Sequence, residues 1–286
     1  MSESSAERGQ RLTSDEYWSQ RPLGSAPSPG KQDMPWWRAG TGRYSEYLGN
    51  HLCDRYLPVG SHLRFLEVGA APGRNLIKFH QRYRWEPFGV EYLSSGIEVM
   101  RDLLTRFGIS PDHAIHADFF DPTFQERFRE SFDVVASFGF LEHFSDPREV
   151  VEKHLNVLRQ GGYLLVTIPN FRRVNYYLKA FFNRDFIATH NLALMDLDMF
   201  RRCFAFEHFT LLECRYSGGF RFPEPSLTKP WKRIAEKLMG KLQLLHNALL
   251  MPVFGAHYPE SKYFSAALVC LGKKTSTGDS GEGPSA

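Results

Sequence analysis

The stretch that most constrains this chain is Phe65-Leu66-Glu67-Val68-Gly69-Ala70-Ala71-Pro72-Gly73-Arg74-Asn75. A short apolar run ends in an acid, turns through small residues and opens an amphipathic segment, the pattern of a buried strand, a tight turn and a helix start. Small residues at Gly69, Ala70, Ala71 and Gly73 remove side chains that would hold a ligand off the backbone. The first helical turn then offers unpaired N–H groups in a positive potential. A strongly polar or anionic ligand is expected there. The dinucleotide fingerprint Gly-x-Gly-x-x-Gly does not fit Gly69-Ala70-Ala71-Pro72-Gly73.

The flanking pattern repeats this unit. Tyr44, Tyr47, Leu48, His51, Leu52 and Tyr56 fall at helical spacing before Pro58 and Gly60. After the turn, Leu76, Ile77, Phe79 and His80 continue a helix, and Trp85 to Val90 reads as a second strand ending at Glu91. A carboxylate at that strand end can accept hydrogen bonds from both hydroxyls of a ribose held against the first turn, although a solvated acid would look the same in sequence. A helix over Ile97 to Phe107, a strand over His113 to Ala117 running into Asp118-Phe119, and a strand over Phe132 to Ser137 follow. A helix over Pro147 to Leu158, closed by Gly161-Gly162, leads into a fifth strand, Tyr163 to Asn170. Strands alternating with helices imply an α/β fold with a doubly wound parallel sheet and ligands at the carboxyl ends of its strands.

Composition sets the outer limits. A chain of 286 residues, 42% hydrophobic, can build one large domain with insertions. A net charge of +3 from 35 basic and 32 acidic residues is no dense basic stripe, so nucleic acid is not the expected partner. Cys53, Cys203, Cys214 and Cys270 form no Cys-x-x-Cys pair, which points to neither a zinc site nor a disulfide framework and fits a reducing, cytoplasmic setting. The N-terminus lacks the apolar core of a signal peptide, and no stretch has the length of a membrane span. The reading is a flexible leader over residues 1–32, a domain over 33–272 and a disordered tail over 273–286. Tyr17-Trp18 and Trp36-Trp37 stand out as aromatic pairs that dock on the body, by packing or over a substrate.

Four features in order carry a family resemblance. Glu67-Val68-Gly69-Ala70-Ala71-Pro72-Gly73 resembles Asp/Glu-x-Gly-x-Gly-x-Gly, the first motif of class I S-adenosylmethionine-dependent methyltransferases, with Ala71 in place of the middle glycine. Glu91 stands at the ribose position, and Asp118 with Phe119 is similar to the acid and neighbour that accept from the adenine amino group and cover the ring. Phe132-Asp133-x-Val135 followed by Leu141-Glu142-His143 and Asp146-Pro147, with Leu158-Arg159-x-Gly161-Gly162-x-Leu164, resembles the ubiquinone-biosynthesis-type methyltransferases and their relatives in glycan and natural-product pathways. The resemblance spans residues 44–170.

It implies a Rossmann-like sheet of seven mostly parallel strands, closed by an antiparallel C-terminal hairpin from Phe209 to Tyr216 and Tyr263 to Leu271, with helical lid insertions at about 171–207 and 217–262. S-adenosyl-L-methionine is the implied cofactor, held by Glu67, Gly69, Ala71, Gly73, Glu91, Asp118, Phe119 and Ser137. The implied reaction is methylation of a small-molecule or glycan acceptor, by O-methylation or by N-methylation of an amino sugar or amine. His143 and His190 are the candidates for general base, against the alternative that each simply packs or caps. Some relatives bind a divalent ion through an additional acid at the position of Gly139; with Glu142 and His143 alone the set is incomplete, and no metal is expected.

Tyr176, Tyr177, Phe181, Phe182 and His190 in the first insertion, then Gly218-Gly219-Phe220-Arg221, offer aromatic faces and donors for a sugar or aromatic acceptor. Two rivals remain. RNA 2′-O-methyltransferases share Gly-Ala-Ala-Pro-Gly but use a Lys-Asp-Lys-Glu tetrad, of which only Asp133 stands near its place, and a non-catalytic adenosylmethionine-binding module could keep the same pocket. Residues 229–254 read as a basic amphipathic helix, with Trp231, Ile234, Leu238, Leu242, Leu245 and Leu249 opposite Lys232, Arg233, Lys237 and Lys241. It packs on its own domain, forms a dimer contact or lies on a membrane surface. The protein is expected to be a monomer or homodimer.

Overall fold

A computed structural model describes residues 11–19, 43–60, 62–221 and 230–275. The sheet grows from β1 (Arg64–Val68), whose residues after Arg64 are all buried. It pairs in parallel with β2 (Glu86–Glu91) on one side and β4 (Phe132–Phe138) on the other, and β3 (Ala114–His116) and β5 (Leu158–Pro169) extend the two edges. β7 (Ser265–Lys274) then inserts antiparallel between β5 and β6 (Phe209–Phe220), giving the order β3-β2-β1-β4-β5-β7-β6. The doubly wound sheet with an antiparallel hairpin, expected from sequence, is the observed architecture.

The period of two along the strands sends neighbouring residues to opposite layers. Phe65, Val134, Leu165 and Leu271 face one core with Phe79, Trp85 and Met100, while Leu66, Val135, Leu164 and Leu268 face the other with Val151, Leu155 and Phe200. The first layer is covered by α2 (Arg43–Tyr56), α3 (Arg74–Tyr83) and α4 (Ser94–Arg106), and the second by α5 (Pro122–Arg127) and α6 (Pro147–Val157). Local chemistry fixes the helix starts. In α6, Asp146 accepts from the amides of Arg148 and Glu149 and Pro147 takes the first turn, where its missing N–H has no cost.

Four boundaries differ from the sequence reading; three follow from strand pairing and the fourth from docking of the leader. β5 starts at Leu158, ahead of the Gly161-Gly162 pair taken as the helix stop, because Leu158 already pairs with Phe132. β7 runs to Lys274, so residues 273 and 274 belong to the sheet rather than to the tail; the Lys274 ammonium is buried and donates to Glu130 Oε1 at 2.8 Å and to the carbonyls of Leu155 and Leu158 at 2.9 Å. β6 continues to Phe220 past a register shift, where Gly218 and Gly219 take φ of +89° and +62°, so the second insertion starts later than residue 217. Within the leader, residues 11–19 are packed on the body and include a short helix, α1 (Asp15–Ser19). Trp36-Trp37 lie outside the described residues.

The reading of the cysteines also needs correction. Cys214 and Cys270 face each other across the β6–β7 ladder and form a disulfide, while Cys53 and Cys203 are buried free thiols. A separation of 56 residues gives no spacing signal; antiparallel register alone brings the two sulfurs together. Among the described residues, no helix is long and apolar enough to cross a membrane.

His154 in α6 is buried with its Nδ1 2.7 Å from the carbonyl of Val150, and its Nε2 has no partner among the described residues. Burial pushes its pKa down to about 4. The folded protein therefore holds His154 neutral where the unfolded chain would be protonated. Its contribution to stability is complete above about pH 6.5 and is lost as the pH falls toward 4, a total of about 3 kcal/mol. Urea unfolding at pH 7 and pH 4.5 should show this loss, and His154→Leu should flatten it; an unchanged pH slope in that variant would assign the loss to other groups.

Candidate active site

At the carboxyl end of β1 the chain turns through Gly69 to Gly73. The amides of Gly69 and Ala70 both donate to the Val90 carbonyl, at 3.1 and 3.2 Å, which ties the turn to β2. Gly69 sits at φ +68°, and a Cβ there would meet the Phe140 ring at 2.9 Å. Gly73, at φ +92°, is the N-cap of α3 and supplies no side-chain cap. A helix start without a side-chain cap leaves a ligand room to meet its first turn, of which the Leu76 amide already bonds Glu67.

Two buried polar atoms border this turn. Glu67 accepts from Asn75 Nδ2 at 2.7 Å through Oε1, while its Oε2 has no partner among the described residues. Burial pushes the Glu67 carboxyl up to about 8, opposed by the Asn75 hydrogen bond and the charge of Lys78. Ser137, opposite Val68 in the β1–β4 register, is fully buried and its Oγ also has no partner among the described residues. Unmet polar atoms of this kind beside a small-residue turn fit a polar ligand that completes them.

Glu91 closes β2 as predicted. Its Oε1 accepts from the amides of Tyr92 and Leu93 at 2.9 and 3.0 Å. Burial raises its pKa, against the pull of those amides, the Ala71 amide and the charge of Arg11. Gly96, in the first turn of α4, lets this corner close: a Cβ there would lie 2.9 Å from Ala71 Cβ and 3.0 Å from Glu91 Cγ. Sequence reading passed over Gly96 because a glycine in a helical run carries no signal of what it touches.

Asp118 lies at the same rim, accepting from the Phe120 amide at 3.0 Å and from Arg11 Nη2 at 3.3 Å. The Arg11 guanidinium sits 4.5 Å from the centre of the Tyr92 ring. Phe119 does not open onto the rim beside Asp118. Its ring is buried against Phe124, Phe140 and His154, since the chain turns after β3 and sends adjacent residues opposite ways.

The segment after β4 forms a 3-10 turn, Leu141–His143, that brings together both histidines named from sequence. The rings of His143 and His190 are 4.5 Å apart, and both residues are buried. His143 Nδ1 is 3.0 Å from the Thr189 carbonyl, and His190 Nδ1 is 2.7 Å from the Phe186 carbonyl. A carbonyl can only accept, so Nδ1 carries the proton in each ring and Nε2 holds the lone pair. Glu142 Oε1 lies 3.8 Å from His143 Nε2. The ligand atoms of Glu142, His143 and His190 all fall within 4.8 Å of one another, so the lid supplies the third group that the sequence around Gly139 lacks, and this cluster is where a cation could be held.

His190 reaches this place through the first insertion, in which α7 (Val174–Ala188) precedes it and α8 (Leu197–Arg202) follows. Phe171 and Phe186 pack on its ring. Of the other aromatics of this insertion, Tyr177 and Phe181 turn away from the site. Tyr177 and Phe181 are each 75% exposed on the outer face of α7, and the side chain of Phe182 lies outside the described residues. The N-terminal segment takes the place they were assigned. Leu12 donates its amide to the His143 carbonyl at 2.8 Å, and Trp18, held by an indole bond to Thr13, packs nearly perpendicular to the His143 ring with the ring centres 4.8 Å apart. Trp18 was legible as an aromatic in a polar leader; Arg11 and Thr13 had no signal.

Asp133, the one residue near a place in the RNA-modifying tetrad, is at the opposite end of the sheet. It opens β4 and accepts from the Arg64 amide at 2.7 Å, with Arg159 Nε at 2.6 Å.

A methyltransferase-domain family model matches residues 41–213, and no curated protein matches the chain. Solved structures share the fold at low identity. A chain from the Haloferax volcanii complex of the Trm112 methyltransferase activator and a methyltransferase is 15% identical, with a TM-score of 0.54 over 84% of this chain and 96% of its own. The geranyl diphosphate C-methyltransferase from Streptomyces coelicolor, solved with Mg2+, geranyl diphosphate and S-adenosyl-L-homocysteine, is 11% identical, with a TM-score of 0.53 over 91% and 95% of the two chains. The [4+2]-cyclase SpnF is 14% identical at a TM-score of 0.52, covering 89% and 87%. The same sheet thus serves more than one chemistry, and it is the matched family, joined to the turn and acids at the strand ends, that decides here. The chain belongs to the methyltransferase-domain family and is a class I S-adenosylmethionine-dependent methyltransferase.

Proposed function

We propose that this enzyme methylates an oxygen of a small-molecule or glycan acceptor, with His143 as the general base. The observation that carries this reading is the 3.0 Å contact of His143 Nδ1 with the Thr189 carbonyl, which puts the ring proton on Nδ1 and makes Nε2 the nitrogen that accepts one. Bound S-adenosylmethionine supplies an electrophilic methyl on a sulfonium. The protein then has two tasks: to hold the acceptor in line with that methyl, an alignment that can contribute roughly 7 to 11 kcal/mol, and to take the proton of the attacking hydroxyl.

Nε2 of His143 takes that proton, and the Glu142 carboxylate 3.8 Å away stabilises the imidazolium that results. His190 is the second candidate base, with the same tautomer fixed by the Phe186 carbonyl. Trp18, Phe171 and Phe186 exclude water from the two rings. An ammonium acceptor would lose its proton to the same nitrogen, so N-methylation of an amino sugar or amine is a variant of this reading. The cofactor set comprises the Gly69, Ala71 and Gly73 turn, Glu67, Ser137, Glu91 and Asp118, with Phe119 supporting the rim from within the core. RNA is not the acceptor in this reading, since Asp133 is spent on Arg64 and Arg159. No metal is required, because proton removal and methyl donation are both supplied without one. The proposed setting is the cytoplasm, and the Cys214–Cys270 disulfide is the observation that counts against it.

Calorimetric titration should give micromolar binding of S-adenosylmethionine and none of a nicotinamide dinucleotide. Labelled methyl should then pass from the cofactor to a member of a sugar and phenol panel at a rate unchanged by EDTA. Cofactor binding with transfer only to amines would move the acceptor atom to nitrogen. Loss of transfer on chelation, restored by a divalent ion, would replace the base role of His143 with metal ligation.

A further inference from the structure

The second insertion contains α9 (Pro230–Phe254), and its two faces are inverted relative to a helix that simply covers a domain. The inward face is polar: Gln243 and Asn247 are 2% and 3% exposed, Gln243 Nε2 donates to the Phe220 carbonyl at 3.2 Å and to Asn247 Oδ1 at 2.9 Å, and His246 meets the Tyr258 hydroxyl at 3.1 Å. The outward face is apolar. Ile234, Leu238, Leu245, Leu249 and Val253 recur at helical spacing, and each is more than half exposed, from 52% at Leu238 to 72% at Ile234. Exposed Lys237 and Lys241 lie within and beside this stripe.

A second stripe lies close by. On α7, Val174, Tyr177 and Phe181 face outward at the same three- and four-residue spacing. The foot of α7 is joined to the segment leading from α9 into β7, since the Val174 amide donates to the Tyr263 carbonyl. Tyr263 is itself half exposed, with Lys262 Nζ and the Arg173 guanidinium 5.4 and 5.9 Å from its ring centre. Exposed aliphatic side chains, tyrosines and lysines together are the composition of a membrane interface.

We propose that the outward faces of α9 and α7 dock this enzyme on an anionic lipid surface. The charge of the outward face selects this occupant over a second copy of the chain: its exposed Lys237 and Lys241 would meet like charges across a symmetric contact and opposite charges on anionic headgroups. No described helix is long and apolar enough to cross the bilayer, so α9 lies in its surface. The inference stands apart from the acceptor proposed above and does not depend on it.

Co-sedimentation of the full chain with vesicles tests it. The chain should bind vesicles of phosphatidylcholine containing phosphatidylserine, and binding should fall in high salt. Lys237→Ala with Lys241→Ala should weaken partitioning by about 30-fold, from about fivefold for each lysine near the surface. Leu238→Glu with Leu245→Glu and Leu249→Glu should abolish it with S-adenosylmethionine affinity intact, which shows that the variant is folded. No binding of the parent chain to the serine-containing vesicles would overturn the proposal. So would equal binding by the glutamate variant, or a change of that variant from dimer to monomer in sedimentation, which would assign the face to self-association.

Discussion

His143→Ala is expected to lower the methyl-transfer rate by about 10²- to 10⁴-fold, the usual worth of a positioned base, without weakening S-adenosylmethionine binding. The separation of the two effects follows from geometry. His143 belongs to the turn after β4 and contacts Trp18, His190 and the Thr189 carbonyl, whereas the groups assigned to the cofactor, Ser137 in β4 apart, are at the ends of β1, β2 and β3. Single-turnover rates and calorimetry on the same preparation check it. Full activity would remove His143 as the base and turn attention to His190. A parallel fall in cofactor affinity would mean that the ring acts by packing Trp18 and the N-terminal segment.

Glu91→Ala is expected to weaken cofactor binding by about 1 to 3 kcal/mol, roughly 5- to 150-fold, through loss of charge-assisted bonds to the ribose hydroxyls. The carboxylate is already oriented by the amides of Tyr92 and Leu93, so the bound geometry needs no further ordering of this side chain. Burial raises the Glu91 pKa, so the charged form is lost earlier than usual on acidification and affinity should decrease as the pH is lowered. Glu91→Gln should keep the packing against Gly96 and remove that pH dependence. Unchanged affinity in the alanine variant would take Glu91 out of the ribose site.

The turn at residues 69–73 and the acids at 67, 91 and 118 were legible because each is a local event: an apolar run, a small-residue turn, a strand end. What was not legible depends on distance or on parity. Phe119 and Phe120 are adjacent aromatics, and only the turn after β3 decides that Phe119 enters the core beside His154. The approach of His190 to His143, and of Cys214 to Cys270, requires a fold that closes 47 and 56 residues respectively. Tyr177 and Phe181 carry the composition of a binding wall, yet helical phase turns them outward. Arg11 is the extreme case. Nothing in a polar leader marks an arginine that will stack on Tyr92 and pair with Asp118.

That leader has a kinetic consequence. Between residues 11 and 18 it contacts the acid at the adenine rim through Arg11 and the proposed base through Trp18. One short segment thus seats at both points. Such a segment would couple admission of an acceptor beside His143 to escape of the spent cofactor past Asp118; turnover that falls with solvent viscosity would show that its undocking paces the cycle, and turnover indifferent to viscosity would dismiss it.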